Sequence, residues 1–157
     1  LVLSTLHTNT APGAITRPTE MGIEPYLVSS SVLGVLAQRL ARRLCKCKEE
    51  YTPTREYLVE MKFPDWALAQ FDQQPFTLFQ KKGCERCSGK GYKGRMGLHE
   101  VMLMSEEIAK LAIAHASAEE IEKVAIEQGM VTLWNDGVRK IIMGQTTMEE
   151  LQRVVQH

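Results

Sequence analysis

The chain has 157 residues, 44% of them apolar and 24% charged, with 19 Lys and Arg balancing 19 Asp and Glu. That length suits one ordinary domain or two small units, and the composition is that of a globular protein, which sets intrinsic disorder aside. No run of 18 or more apolar residues occurs, so no transmembrane helix is expected, and no signal-peptide pattern opens the chain.

Leu1–Leu6 reads as a short buried strand; its abrupt apolar start, without Met or a polar lead-in, reads as that of an excised fragment. A polar loop follows, and Asn9 or Thr10 is placed to cap a helix beginning near Ala11-Pro12. Pro18 is expected to kink or end that helix, and Gly22 to stop it. A second helix is expected from about Pro25 to Leu36. The next stretch is ambiguous, because Leu36, Leu40 and Leu44 fit helical spacing while Leu40 and Leu44 also fit one face of a strand. Residues 45–95 are broken by Pro53, Pro64 and Pro75 and crowded with glycine at their end, with short helices expected near Thr54–Met61 and Asp65–Phe71. Such a segment has little core of its own and needs a staple.

The last third is helical. Ser105 opens one helix, and Ser117-Ala118-Glu119-Glu120 is a capping box opening a second that ends at Gly129. Leu133, Val138, Ile141 and Ile142 form an apolar stripe ending at Gly144. Thr147-Met148-Glu149-Glu150 caps the last helix, with Leu151, Val154 and Val155 turned inward.

Four cysteines stand in two close pairs, Cys45/Cys47 and Cys84/Cys87. Close pairs without a signal peptide favour a metal over a disulfide framework or free thiols. Four thiolates suit a tetrahedral Zn2+, and a site with four protein ligands leaves no position for water, so its role is structural. The spacer is two residues in Cys84-Glu85-Arg86-Cys87 but only one in Cys45-Lys46-Cys47, a tighter turn. Charge is uneven along the chain: residues 1–98 carry 14 Lys and Arg against 9 Asp and Glu, and residues 99–157 carry 5 against 10, which suggests separate subdomains. The cations gather at Arg39–Lys48 and Lys81–Arg95. They either offset thiolates and face solvent, or form a patch for nucleotide phosphate or a protein partner.

Several of these segments together resemble the GspE/PilB-type ATPases, which power type II secretion and type IV pilus assembly. Leu3-Ser4-Thr5-Leu6-His7-Thr8-Asn9, continued by Ala11–Arg17, is similar to the family's His box. Gly34–Leu40 and Arg42-Arg43-Leu44-Cys45 resemble its approach to the metal site, and Gly91–Glu100 its continuation after the second cysteine pair. Asp136–Lys140 and Gly144–Glu150 resemble its C-terminal signature. The resemblance covers nearly the whole chain and favours a strand for Gln38–Leu44.

The resemblance implies an α+β piece of a larger protein, with three parts: residues 1–43, the edge of a RecA-like ATPase core; 44–98, a tetracysteine zinc subdomain; and 99–157, a helical subdomain. It implies a homohexamer on the cytoplasmic face of the inner membrane, peripheral to it and partnered by secretion or pilus platform proteins. It also implies that His7 senses the terminal phosphate of ATP. Three departures stand out: the short Cys45–Cys47 spacer, Pro18 where the family keeps an apolar residue, and the absence of any G-x-x-x-x-G-K-[ST]. Without that loop the chain alone is not expected to hydrolyse ATP; ATP and Mg2+ belong to the whole protein. Arg39, Arg42 and Arg43 read as a solvated strand edge more than as phosphate contacts. Two other readings are a zinc-dependent nucleic-acid-binding module and a chaperone module, the latter because Cys84–Gly91 matches the C-x-x-C-x-G-x-G unit of DnaJ-type chaperones. The zero net charge and the presence of a single aromatic, Tyr92, near the second basic run make nucleic acid an unexpected partner.

Overall fold

The computed structural model describes residues 1–155; the last two residues, which the expected C-terminal helical segment includes, lie outside the described residues. The chain is mixed α and β, as expected: eight α-helices and four strands are found among the described residues. It divides into two compact units, Leu1–Gln38 with His99–Leu133, and Arg39–Leu98 with Trp134–His157.

In the first unit, α1 (Gly13–Glu20), α2 (Pro25–Ser31), α5 (Glu106–Ile113) and α6 (Ala118–Glu127) pack on one another. Their core is Ala11, Ile15, Val28, Met102, Ile108, Ala112, Ile121, Ala125 and Met130. The helix starts follow the sequence closely. Thr10 Oγ1 accepts from Gly13 N–H, and Ser105 Oγ from Ile108 N–H. Ser117 and Glu120 form both halves of their capping box, at 3.2 and 2.8 Å. Pro18 does not stop α1, which runs two residues further. A proline near the end of so short a helix forfeits a single backbone bond. Gly22, at φ +90°, then closes the helix through Gly22 N–H to Thr19 O and Ile23 N–H to Pro18 O, and the same pair of bonds closes α6 around Gly129. Glu100 is buried, and its two carboxylate oxygens accept from Ala11 N–H at 2.7 Å and Leu133 N–H at 3.0 Å. One anion thereby satisfies two backbone donors at helix starts.

Two expectations fail in this unit. Leu1–Leu6 forms no strand, and Leu1, Val2 and Leu3 are fully or almost fully exposed. No strand among the described residues lies beside them to take their hydrogen bonds. The second helix ends at Ser31 instead of Leu36, because the chain turns extended at Val32 and enters β1 (Gly34–Leu44). The strand reading of Gln38–Leu44 is the observed one. The leucine spacing misleads because Leu36 and Leu40 point outward, while Val35 and Ala37 pack on the core. β1 pairs with β4 (Tyr92–Leu103), a 12-residue strand that begins inside the stretch the sequence reads as irregular and continues through residues to which it assigns no element.

In the second unit, β2 (Glu49–Tyr51) pairs antiparallel with β3 (Leu78–Gln80), with Tyr51 opposite Leu78. Between them lie α3 (Arg55–Glu60) and α4 (Asp65–Gln73), where expected. Thr54 caps α3 by accepting from Tyr57 N–H. α7 (Leu133–Ile142) and α8 (Met148–Val154) complete the unit. A Cβ at Gly137 would come within 2.2 Å of the Leu151 side chain, and Leu151 is fully buried, so glycine is what lets α7 and α8 meet.

Thr147 caps α8 by accepting from Glu150 N–H. The reciprocal half is absent, because the Glu150 carboxylate turns to Arg42, accepting from its backbone N–H at 2.8 Å and from Nε and Nη2 at 2.9 and 2.6 Å, and also to Arg153. Burial of the Glu150 side chain works against its charge, but these donors win and hold its carboxyl down at about 2, below its ordinary 4.5. A depressed carboxyl stabilises the fold above its unfolded value and loses that contribution as pH falls from 4.5 towards 2. Both arginines are about half exposed, so solvent screening leaves on the order of 2 kcal/mol.

Glu150→Gln is therefore expected to lower unfolding free energy by about 2 kcal/mol at pH 7 in denaturant titration, with the gap to the parent closing between pH 4.5 and 2. Gly137→Ala should cost roughly 1–3 kcal/mol in the same assay, because the buried Leu151 has to shift.

Candidate metal centre

Cys45 and Cys47 sit on the turn after β1. Cys45 N–H donates to Gly91 O at 2.9 Å and Lys48 N–H to Cys45 O at 3.1 Å, which fixes this tight turn despite its one-residue spacer. Cys84 precedes, and Cys87 ends, a single 3-10 turn, Glu85–Cys87. The left-handed conformations that follow at Ser88 and Gly89 bring the chain back so that Gly91 N–H reaches the Cys87 sulfur.

The four Sγ atoms all lie within 4.8 Å of one another. Cys45–Cys84 and Cys47–Cys87 are 3.9 Å apart and Cys84–Cys87 3.8 Å. A tetrahedron with metal–sulfur bonds of about 2.3 Å has edges of about 3.8 Å, so the spacing fits Zn2+. A disulfide needs a sulfur separation of about 2.05 Å, and all four cysteines are free. Burial raises the Cys87 thiol. The backbone N–H groups of Cys84 and Gly91, each 3.2 Å from its sulfur, and the adjacent thiols bring it down to about 6. Burial pushes Cys47 up to about 11. The Cys47 N–H draws Cys45 downward. At Cys87 backbone donors already point at sulfur in the manner of a charged acceptor. A metal held here would close a loop of 36 residues between Cys47 and Cys84, removing on the order of 4 kcal/mol of chain entropy by the relation used for other crosslinks.

His7 is elsewhere, exposed on the segment before α1. Of the three strand arginines, Arg42 is committed to Glu150 and lies 4.4 Å from the Tyr92 ring centre, and Tyr92 Oη is 2.7 Å from Thr147 Oγ1. Lys48 Nζ donates to Gly144 O and sits over the Phe79 ring. The motif-level reading of Glu150 as a helix cap missed its second and larger task. The signal was present only as a carboxylate in a motif next to α8 and an arginine in a motif before the cysteines, more than a hundred residues apart. Among the described residues no helix is long and apolar enough to cross a membrane.

The chain is mixed α and β and carries a four-thiol cluster within its second unit. Residues 1–153 match the family described as type II/IV secretion system protein, and the chain belongs to that family, within its GspE/PilB type. It is 45% identical over 152 residues to the type IV pilus assembly ATPase PilB of Thermus thermophilus, covering 96% of this chain and 16% of the relative. It is 44% identical over 155 residues to the type II secretion system ATPase E of Vibrio cholerae, covering 98% of this chain and 29% of the relative. The type II secretion system protein E of Pseudomonas aeruginosa is 45% identical, again over 98% of this chain and 29% of its own length. The chain thus spans less than a third of the curated relatives it matches.

Metal analysis of the purified chain is expected to find one Zn2+ per chain, bound by four thiols that react slowly until a chelator is added. Cys84→Ser should lose that metal and raise amide exchange across residues 45–95 by at least about tenfold, while residues 105–130 keep their protection.

Proposed function

We propose that this chain is the part of a secretion or pilus-assembly ATPase that lies beyond its phosphate-holding loop. The observation that carries the reading is the correspondence of residues 1–153 to one family, at 44–45% identity to proteins named as ATPases of both machines. In this reading the whole protein is a homohexamer, cytoplasmic and peripheral to the inner membrane. It takes ATP and Mg2+ and drives platform proteins of the secretion or pilus apparatus. Residues 1–43 form the edge of its RecA-like core, 44–98 a zinc-stapled subdomain with Cys45, Cys47, Cys84 and Cys87 as ligands, and 99–157 a helical subdomain that relays nucleotide-driven motion.

His7 acts as the nucleotide sensor, donating a hydrogen bond to an oxygen of the terminal phosphate. Its exposure on a segment free of secondary structure supports the role, since a phosphate can be presented to it without displacing core packing. Zinc, when bound, supplies rigidity and no open coordination position, so no chemical step passes through it. The chain alone hydrolyses no ATP, because it has no G-x-x-x-x-G-K-[ST] whose backbone amides and lysine would hold the phosphates.

In the whole protein, His7→Ala is expected to lower kcat for ATP by at least about tenfold while KM changes by less than about threefold, the pattern of an interaction made mainly in the transition state. A variant with wild-type kcat would remove His7 from the mechanism. The 157-residue chain itself should release phosphate from ATP no faster than buffer does.

A further inference from the structure

We propose that the cavity beside the first cysteine turn is a binding site for a phosphate-bearing anion, presented either by a small free molecule or by a lipid headgroup. The cavity has a volume of about 480 Å3 and lies wholly within the second unit. Arg43, Lys46, Lys48, Arg86 and Lys93 line it, and no carboxylate does. These five cations come from four separate places: the end of β1, the turn through Cys45 and Cys47, the 3-10 turn at Cys84–Cys87, and the start of β4. Folding therefore gathers them.

Glu50 and Glu85, which lie close to lining residues in sequence, do not line the cavity, and two further acids are paired elsewhere. Glu49 pairs with Lys82 at 2.7 Å and Glu149 with Lys81 at 2.8 Å. Among the described residues none of the five lining cations forms an ion pair with a carboxylate. Offsetting the thiolates does not account for them. Four thiolates around a divalent cation carry a net charge of −2, and five cations exceed it by three. Five like charges around one cavity repel each other, and the repulsion is relieved when a multivalent anion enters.

Phosphate is the chemistry that fits. Two guanidinium groups give planar, paired donors suited to phosphate oxygens, and the lysines add compact charge. Lys48 is already held by the Gly144 carbonyl and the Phe79 ring, which makes it a positioned donor. The volume is that of a small-molecule site and is ample for a diphosphate or a phospholipid headgroup. The inference is independent of the ATPase reading, because it uses neither His7 nor any phosphate-holding loop.

The test titrates the full 157-residue chain with inorganic pyrophosphate by calorimetry in about 0.1 M salt, a concentration that screens loose surface attraction. Saturable binding is expected, weakened at least about tenfold in the double variant Arg43→Gln, Lys93→Gln and by less than about twofold in Lys110→Gln, Lys123→Gln, which removes the same charge elsewhere. Backbone amide shifts of the wild-type chain on adding pyrophosphate serve as a second readout that needs no variant, and they should concentrate at residues 43–48, 86, 93 and 143–145. Co-flotation with phosphatidylglycerol vesicles but not phosphatidylcholine vesicles, competed by pyrophosphate, would assign the anion to a lipid; pyrophosphate binding without flotation would assign it to a free molecule. No saturable binding to either probe, equal weakening in both double variants, or shifts centred elsewhere would each overturn the proposal.

Discussion

Two tight turns, one at Cys45–Cys47 and one at Cys84–Cys87, have to meet for the stretch between them to hold a shape. That stretch contributes only two three-residue strands and two short helices. Elements of this length are marginal alone, since a short helix does not recover the cost of its nucleus and a two-stranded hairpin buries little. The meeting of the turns is prepared by the backbone. Gly91 gives its carbonyl to Cys45 N–H and its own N–H to the Cys87 sulfur, so one residue ties both pairs together before any ion is considered. Sulfurs placed 3.8–3.9 Å apart are positioned to share one ion.

Each unit also relies on a buried carboxylate as a joint. Glu100 in the first unit and Glu150 in the second are both almost fully buried, and each accepts from groups distant in sequence. A buried anion is costly unless its oxygens are satisfied, and here every acceptor direction in use meets a backbone N–H or a guanidinium. Such joints fix where a helix begins relative to the strand that carries the anion or receives it. The family's C-terminal signature takes on physical meaning in these terms. Gly137 permits close approach of α7 and α8, Gly144 turns the chain, Thr147 caps α8 and Glu150 holds the strand that leads to Cys45.

Local signals carried most of the helices. Thr54, Ser105, Ser117 and Thr147 each sit where a side-chain oxygen can take up a backbone donor, and Gly22, Gly129 and Gly144 where a chain can turn left-handed. Those are one-turn phenomena, decided by neighbours in sequence. The long strand β4 was illegible because its hydrogen-bonding partner, β1, is distant in sequence, and Gly94 and Gly97 within it look like turn residues to a local reading. Leu1–Leu6 misled for the opposite reason: its apolar character calls for burial, yet Leu1, Val2 and Leu3 are left almost wholly exposed. The cysteine cluster was legible as a donor set and not as a geometry, since whether a one-residue spacer lets both sulfurs converge depends on the Gly91 contacts. Glu150 was visible as a helix-start residue, while its grip on Arg42 belongs to packing across 108 residues.

The account stands on four sulfurs sharing one metal ion. X-ray absorption at the zinc edge of the purified protein measures that directly. A single shell of four sulfur neighbours at about 2.3 Å is predicted. A shell containing nitrogen or oxygen at about 2.0 Å, or fewer than four sulfurs, would contradict it by showing that the Cys45–Cys47 turn leaves one thiol out.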